Sequence, residues 1–188
     1  MGAYTTLAAT RPQYEEIIET LRTGTNTTRP SPRTAAVLMI QANLGLRIQD
    51  VLGLKLSDIV NDGGRWRLDI TEQKTGKKRR FTVLPALHDY LVSYAYDNGI
   101  GRDDPLFPIT PRAVQKQLHS VCDFLGYERI STHSFRKLFA TEIYNANGHD
   151  VVLVQHLLQH ASAATTQRYI GIEPERIETA LNNHNFII

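Results

Sequence analysis

The segment THSFR sets His133 and Arg136 three positions apart, so a helix there carries both side chains on one face. Ser131 and Thr132 stand just ahead as caps, which puts the pair near a helix N-terminus, where free N–H groups and the macrodipole favour an anion. An imidazole beside a planar guanidinium fork makes a phosphate receptor. The same spacing also suits two solvated side chains on a helix surface. Arg47 lies between Leu46 and Ile48, an apolar setting in which an arginine needs a partner, either Asp50 at i+3 or an outside anion. Lys74 occupies the turn EQKTGKK, followed by Lys77, Lys78, Arg79 and Arg80. That run is either a solvated hairpin tip or a contact for a polyanion backbone. Farther on, LLQHASAATTQRYIGI sets His160 nine residues before Tyr169 among small and hydroxyl-bearing residues. This tyrosine reads either as a packing residue or as a nucleophile.

The elements that must position these groups are mostly helical. RPQYEEIIETLRTG repeats Tyr14, Ile17, Ile18 and Leu21 at helical spacing and stops at Gly24. RTAAVLMIQAN is a largely buried helix broken near Gly45, and RIQDVLGLKLSDI begins a further short one. After the turn NDGG, RWRLDI and RRFTVLP alternate as strands, so residues 65–84 form a β-hairpin or small sheet. Helices follow over PALHDYLVSYAYDNG, RAVQKQLHSVCDFLG, STHSFRKLFATEIYNANG and DVVLVQHLLQH, with a last helix and tail in ERIETALNNHNFII. The predicted fold is mainly α with one small antiparallel sheet, an α+β domain.

The order of these groups carries more than each alone. An arginine after a buried helix, a lysine in a β-turn, His-x-x-Arg, a histidine and a tyrosine together resemble the tyrosine recombinase (phage integrase) family. The matching segments are LGLRIQDVLGLKLSDI, EQKTGKKRRFTVLP, LFP, THSFRKLFATEIYNANGHDVVLVQHLLQH and TTQRYIGI. The resemblance implies a catalytic domain over residues 1–172, with a tail at 173–188 packing in trans on a neighbouring subunit. It implies that the N-terminal DNA-clamp domain usual in the family is absent. Arg47 and Arg136 would clamp the scissile phosphate, and Lys74 would protonate the leaving 5′ oxygen. His133 would assist proton transfer at the nucleophile, His160 would hydrogen-bond a phosphate oxygen, and Tyr169 would attack to give a 3′-phosphotyrosyl intermediate. Asp50 matches the acidic support position beside the first arginine. Gln159 departs from the pattern, standing where the family usually has glycine before the histidine.

The chemistry is consistent with those roles. A phenol with a reference pKa of about 10 is a poor nucleophile at neutral pH and needs a base or a cationic setting. Phosphoryl transfer spreads charge over equatorial oxygens, which fixed guanidinium donors stabilise. The cations present leave no requirement for a metal or other cofactor. His88, His119, His149, His156 and His184 lack metal-ligand spacing and read as surface or packing residues. Tyr94, Tyr96, Tyr127 and Tyr144 read as structural. Attack by tyrosine conserves the phosphodiester bond energy, so strand exchange runs without ATP.

The whole chain fits this frame. Its 188 residues suit one domain, and a formal net charge of +2 permits a local basic face without arguing for one. The single cysteine, Cys122, excludes an internal disulfide framework and fits a reducing cytosol. Its apolar neighbours predict a buried thiol. No apolar run approaches the roughly 18–20 residues that span a bilayer. The implied protein is a cytoplasmic recombinase, bacterial or phage-encoded. Its implied partner is double-stranded DNA, on which it forms a homotetramer, being monomeric or weakly associated without it. Two alternatives share the fold: a type IB topoisomerase that nicks and reseals one strand, and a catalytically silent DNA-binding module. The complete set of site candidates argues against the silent module.

Overall fold

The computed structural model describes residues 6–160 and 162–170. They fall into two compact units that divide between Phe139 and Ala140. The first unit runs through α1 (Arg11–Thr23), α2 (Pro32–Leu44), α3 (Ile48–Leu52), a 3-10 turn (Leu56–Asp58), β1 (Ile59–Asp62), β2 (Arg65–Thr71) and β3 (Lys78–Thr82). It continues with α4 (Pro85–Asp97), α5 (Pro111–Leu125) and the start of α6 (Thr132–Ala146). The second unit holds the rest of α6, α7 (Val151–Leu158) and α8 (Ala163–Ile170).

Helix α1 begins with a reciprocal cap: the Thr10 hydroxyl accepts from the Gln13 N–H, and the Gln13 side chain accepts from the Thr10 N–H at 3.0 Å. Its stripe of Ile17, Ile18 and Leu21 is buried against α2 and α5. Helix α2 is apolar nearly all round and forms the centre of this unit, with Ala35, Ala36, Val37, Leu38, Ile40 and Leu44 buried. The valine, leucine and isoleucine side chains among them contribute about 1.5–3 kcal/mol each when fully withdrawn from water. From α5 come Val114, Leu118, Val121 and Cys122. The Cys122 thiol is buried as expected, and desolvation pushes its pKa up to about 12.

Gly45 ends α2 in the left-handed region, at φ 58° and ψ 26°. A Cβ there would lie 2.3 Å from Cδ1 of Phe139, so any other residue must displace that ring as well as adopt the left-handed conformation. The chain turns at this point, and α3 starts two residues later.

The sheet has three antiparallel strands in the order β1-β2-β3. Ile59 pairs with Leu68, which pairs with Phe81, and Ile70 pairs with Arg79. Helix α4 packs on β2, where Trp66 stacks on His88 with ring centroids 3.6 Å apart. Strand β1 is an addition to the expected hairpin. It escaped the alternation pattern because half of it, Asn61 and Asp62, consists of residues that favour turns.

In the second unit Asp150 caps α7, its Oδ1 accepting from the N–H groups of Val152 and Leu153, both at 2.9 Å. Val154 and Leu158 are buried, and α7 packs on α8. Ala163 and Ala164 form the first turn of α8. Tyr94 tilts against Phe107 at 5.2 Å and Tyr127 donates to Glu16, but Tyr96 is exposed and so is not the structural residue expected. The predicted C-terminal helix and the trans packing of residues 173–188 lie outside the described residues.

Candidate active site

Arg47 caps α3 in an extended conformation, directly after the α2 turn. Its side chain is one-fifth exposed, and Nη1 donates to Oε2 of Glu72 at 2.5 Å. The counter-charge is therefore Glu72, contributed by the turn after β2, and not Asp50 on the same helix. Asp50 is buried and serves another purpose: its Oδ1 accepts from the Gln73 N–H at 2.8 Å. It thereby holds the residue next to Lys74.

The Lys74 turn is closed by Glu72 itself. Its N–H donates to Lys77 O at 3.0 Å, and its carbonyl accepts from Gly76 N–H at 2.9 Å. Gly76 takes φ 65°, the region such a turn needs. The Glu72 carboxylate is fully buried and accepts from Thr75 Oγ1 at 2.8 Å and from Arg79 Nη1 at 3.1 Å. Burial alone would raise its pKa; the Thr75 hydroxyl and the guanidinium groups of Arg47 and Arg79 outweigh that and hold it below the usual glutamate value.

Arg79 departs from its expected role as a DNA contact. It is 1% exposed, donates Nη2 to Leu44 O at 2.9 Å and lies over the Phe81 ring. The strand alternation explains this: β3 turns Arg79 inward and its neighbours Lys78 and Arg80 outward. Burial, then the nearby Arg136, pull its pKa down to about 10, against the support of Glu72 and Asp50. Lys77 and Lys78 are exposed, and exposed Arg80 pairs with Asp69.

His133 and Arg136 stand in the first turns of α6. Arg136 is 1% exposed and donates Nη1 to the Gly45 carbonyl at 2.6 Å. His133 is solvent-exposed overall, yet partial burial of its ring lowers its pKa. The cations Arg136, Lys137, Arg47 and Lys74 push it the same way. Hydrogen bonds draw Arg47, Lys74, His133 and Arg136 into one neighbourhood: Glu72 joins Arg47 to Thr75, which follows Lys74, and Arg136, on the same helix as His133, donates to the Gly45 carbonyl two residues before Arg47.

His160 and Tyr169 belong to the second unit. His160 Nδ1 hydrogen-bonds Thr166 Oγ1 at 3.0 Å, which ties it to α8, and Tyr169 falls in the last turn of that helix. Gln159 closes α7 at φ 54° and ψ 38°, the left-handed cap conformation that glycine adopts without strain. Among the described residues, no group of three or more His, Cys, Asp or Glu is placed to hold a metal ion. No helix among them is long and apolar enough to cross a membrane.

Sequence reasoning missed Glu72. Arg47 in its apolar setting calls for a buried acid, and Glu72 is the acid of the turn that follows β2.

The model of the phage integrase family matches residues 9–176. The "Probable integrase/recombinase YoeC" of Bacillus subtilis is 32% identical over 145 residues, covering 73% of this chain and 77% of its own length. The tyrosine recombinase XerC of a Methylobacterium species is 37% identical over 160 residues, covering 79% of this chain and 48% of its own. The chain thus spans about half the length of the XerC relatives it matches. Among solved structures, XerH site-specific recombinase bound to palindromic difH substrate superposes with a TM-score of 0.72 at 25% identity, over 94% of this chain and 53% of that one. The catalytic domain of bacteriophage HP1 integrase, at 18% identity and TM-score 0.64, covers 94% of both chains and matches in fold.

Proposed function

We propose that this chain, which belongs to the phage integrase family, cuts and rejoins DNA strands at specific sites through a covalent tyrosine intermediate. The observation that carries this reading is the electropositive group of Arg47, Lys74, His133 and Arg136, assembled from three separate elements on buried carboxylate and carbonyl supports. Such a group is costly to build and has an obvious use at a phosphodiester.

In the proposed reaction the Tyr169 hydroxyl attacks the scissile phosphorus. A Tyr–O–P bond forms, the P–O5′ bond breaks, and the DNA keeps its phosphate on the 3′ side. The phenolic proton goes to His133, whose lowered pKa keeps the imidazole neutral and able to accept it. Lys74 gives a proton to the departing 5′ oxygen. Arg47 and Arg136 hold the non-bridging oxygens as charge develops on them, and His160 hydrogen-bonds one of them. A 5′ hydroxyl from another strand then reverses the steps and releases Tyr169. Double-stranded DNA is the partner, through contacts that include Lys77, Lys78 and Arg80. A homotetramer on DNA, with weak association in its absence, completes the reading. The relatives named above are integrases and recombinases, which favours strand exchange over nicking and resealing of one strand.

The test is covalent trapping. A pool of nicked duplexes with randomised sequence lets the short cleaved fragment diffuse away, so the adduct accumulates. The chain forms an adduct stable to denaturation, and Tyr169→Phe forms none. Binding to the recovered duplex weakens steeply with salt. Failure of the wild-type chain to form an adduct with any member of the pool sinks the reading.

A further inference from the structure

We infer that Glu72 is a positioning residue that locks the phosphate-clamping Arg47 and the acid-bearing Lys74 turn into one unit. The inference rests on the proposed roles of those two residues and adds a member that makes no contact with DNA.

Three observations carry it. First, the carboxylate is fully buried and divided: Oε2 takes Arg47 and Thr75, while Oε1 takes Arg79. A buried acid with both oxygens engaged by cations has one stable orientation. Second, Thr75 follows Lys74 directly, and Gln73 precedes it under the grip of Asp50. Lys74 itself is exposed, so its place is set by its two neighbours, one held by Glu72 and the other by Asp50. Third, the far side of Glu72 is anchored. Arg79 joins it to the Leu44 carbonyl, and the next carbonyl along, that of Gly45, accepts from Arg136. One carboxylate therefore links the turn, the first arginine and the end of α2 that orients the second arginine.

Glu72→Gln keeps the shape and removes the charge. Thr75 and one guanidinium can still find an acceptor, but the bridge between Arg47 and Arg79 is lost. Cleavage should slow by roughly a hundredfold, the scale of a misplaced general acid, while affinity for the captured duplex changes by no more than about threefold, since Glu72 meets no phosphate.

The deciding substrate is the same duplex with sulfur at the bridging 5′ position. Tyr169 attack then forms Tyr–O–P and breaks P–S, and the thiolate, with a reference pKa of about 8.5, departs without a proton. Lys74→Ala is the control and should recover most of its rate on the sulfur substrate. We expect Glu72→Gln to recover by at least about tenfold relative to wild type, because part of its defect is a misplaced acid. If Lys74→Ala recovers and Glu72→Gln does not, Glu72 does not place the lysine and the inference falls while the proposed function stands. If Lys74→Ala itself fails to recover, the acid role of Lys74 fails and takes the inference with it. Wild-type cleavage rates for Glu72→Gln also overturn it. Should the single variant unfold because Arg79 is stranded, Glu72→Gln combined with Arg79→Met removes both buried charges and must show the same recovery.

Discussion

Arg136 Nη1 lies 2.6 Å from the carbonyl oxygen of Gly45, a hydrogen bond across 91 positions of sequence. It joins the start of α6 to the end of α2, and it exists because Gly45 can enter the left-handed region against the Phe139 ring. A backbone carbonyl is a suitable support for an arginine meant to receive a phosphate, since it orients the guanidinium without neutralising it.

Gly45→Ala tests that relationship. The new Cβ meets the Phe139 ring at 2.3 Å and sits at an unfavourable φ of 58°. The expected cost is about 2 kcal/mol or more, from backbone strain and overpacking together. Denaturant unfolding should show a lower midpoint, and adduct formation should drop further than the lost folded fraction explains. An unchanged midpoint means that the turn does not have this geometry.

His133 sets a pH dependence of definite sign. Its folded pKa lies below the ordinary value of 6.5, so between the two the folded chain binds fewer protons than the unfolded one. Stability is therefore unaffected by this group above about pH 6.5 and declines as the pH falls below that value towards the folded pKa. Adduct formation should fall lower on the acid side, as the pH drops through the folded pKa and the imidazole becomes protonated and loses its capacity to accept the tyrosine proton. His133→Asn should flatten the stability curve and remove the acid limb from the rate profile. A limb that persists in this variant assigns the proton transfer elsewhere.

Gln159→Gly should stabilise the chain. Gln159 occupies a left-handed helix cap at φ 54°, which costs a side-chain-bearing residue more than it costs glycine. The gain is about 0.5–1 kcal/mol, the strain relieved less the extra chain entropy of glycine. Chemical unfolding of the two proteins measures it. Destabilisation by the substitution would show that the Gln159 side chain contributes more than the cap costs.

The parts of this structure that were legible in sequence are the local ones. Gly24 and Gly126 end their helices, and Ile17, Ile18 and Leu21 repeat at helical spacing. His133 and Arg136 share a face by spacing alone. What stayed hidden depends on pairing across the fold. Asp50 sits at the right helical distance from Arg47, yet the acid that reaches Arg47 is Glu72, 25 positions away. Arg79 stands in a run of four cations, and only the register of β3 shows that it faces inward. The Asn61–Asp62 pair looked like a turn because its residue types favour one; sheet pairing to Trp66 and Arg65 prevailed.

The most direct test of the central claim is to find the atom that holds the DNA. The trapped adduct is digested with protease and nuclease, and the nucleotide-bearing peptide is sequenced by mass spectrometry. The expected result is a peptide ending its DNA remnant in a 3′-phosphate ester on Tyr169, absent from the Tyr169→Phe protein. A remnant on any other residue, or one attached through a 5′ phosphate, contradicts the account.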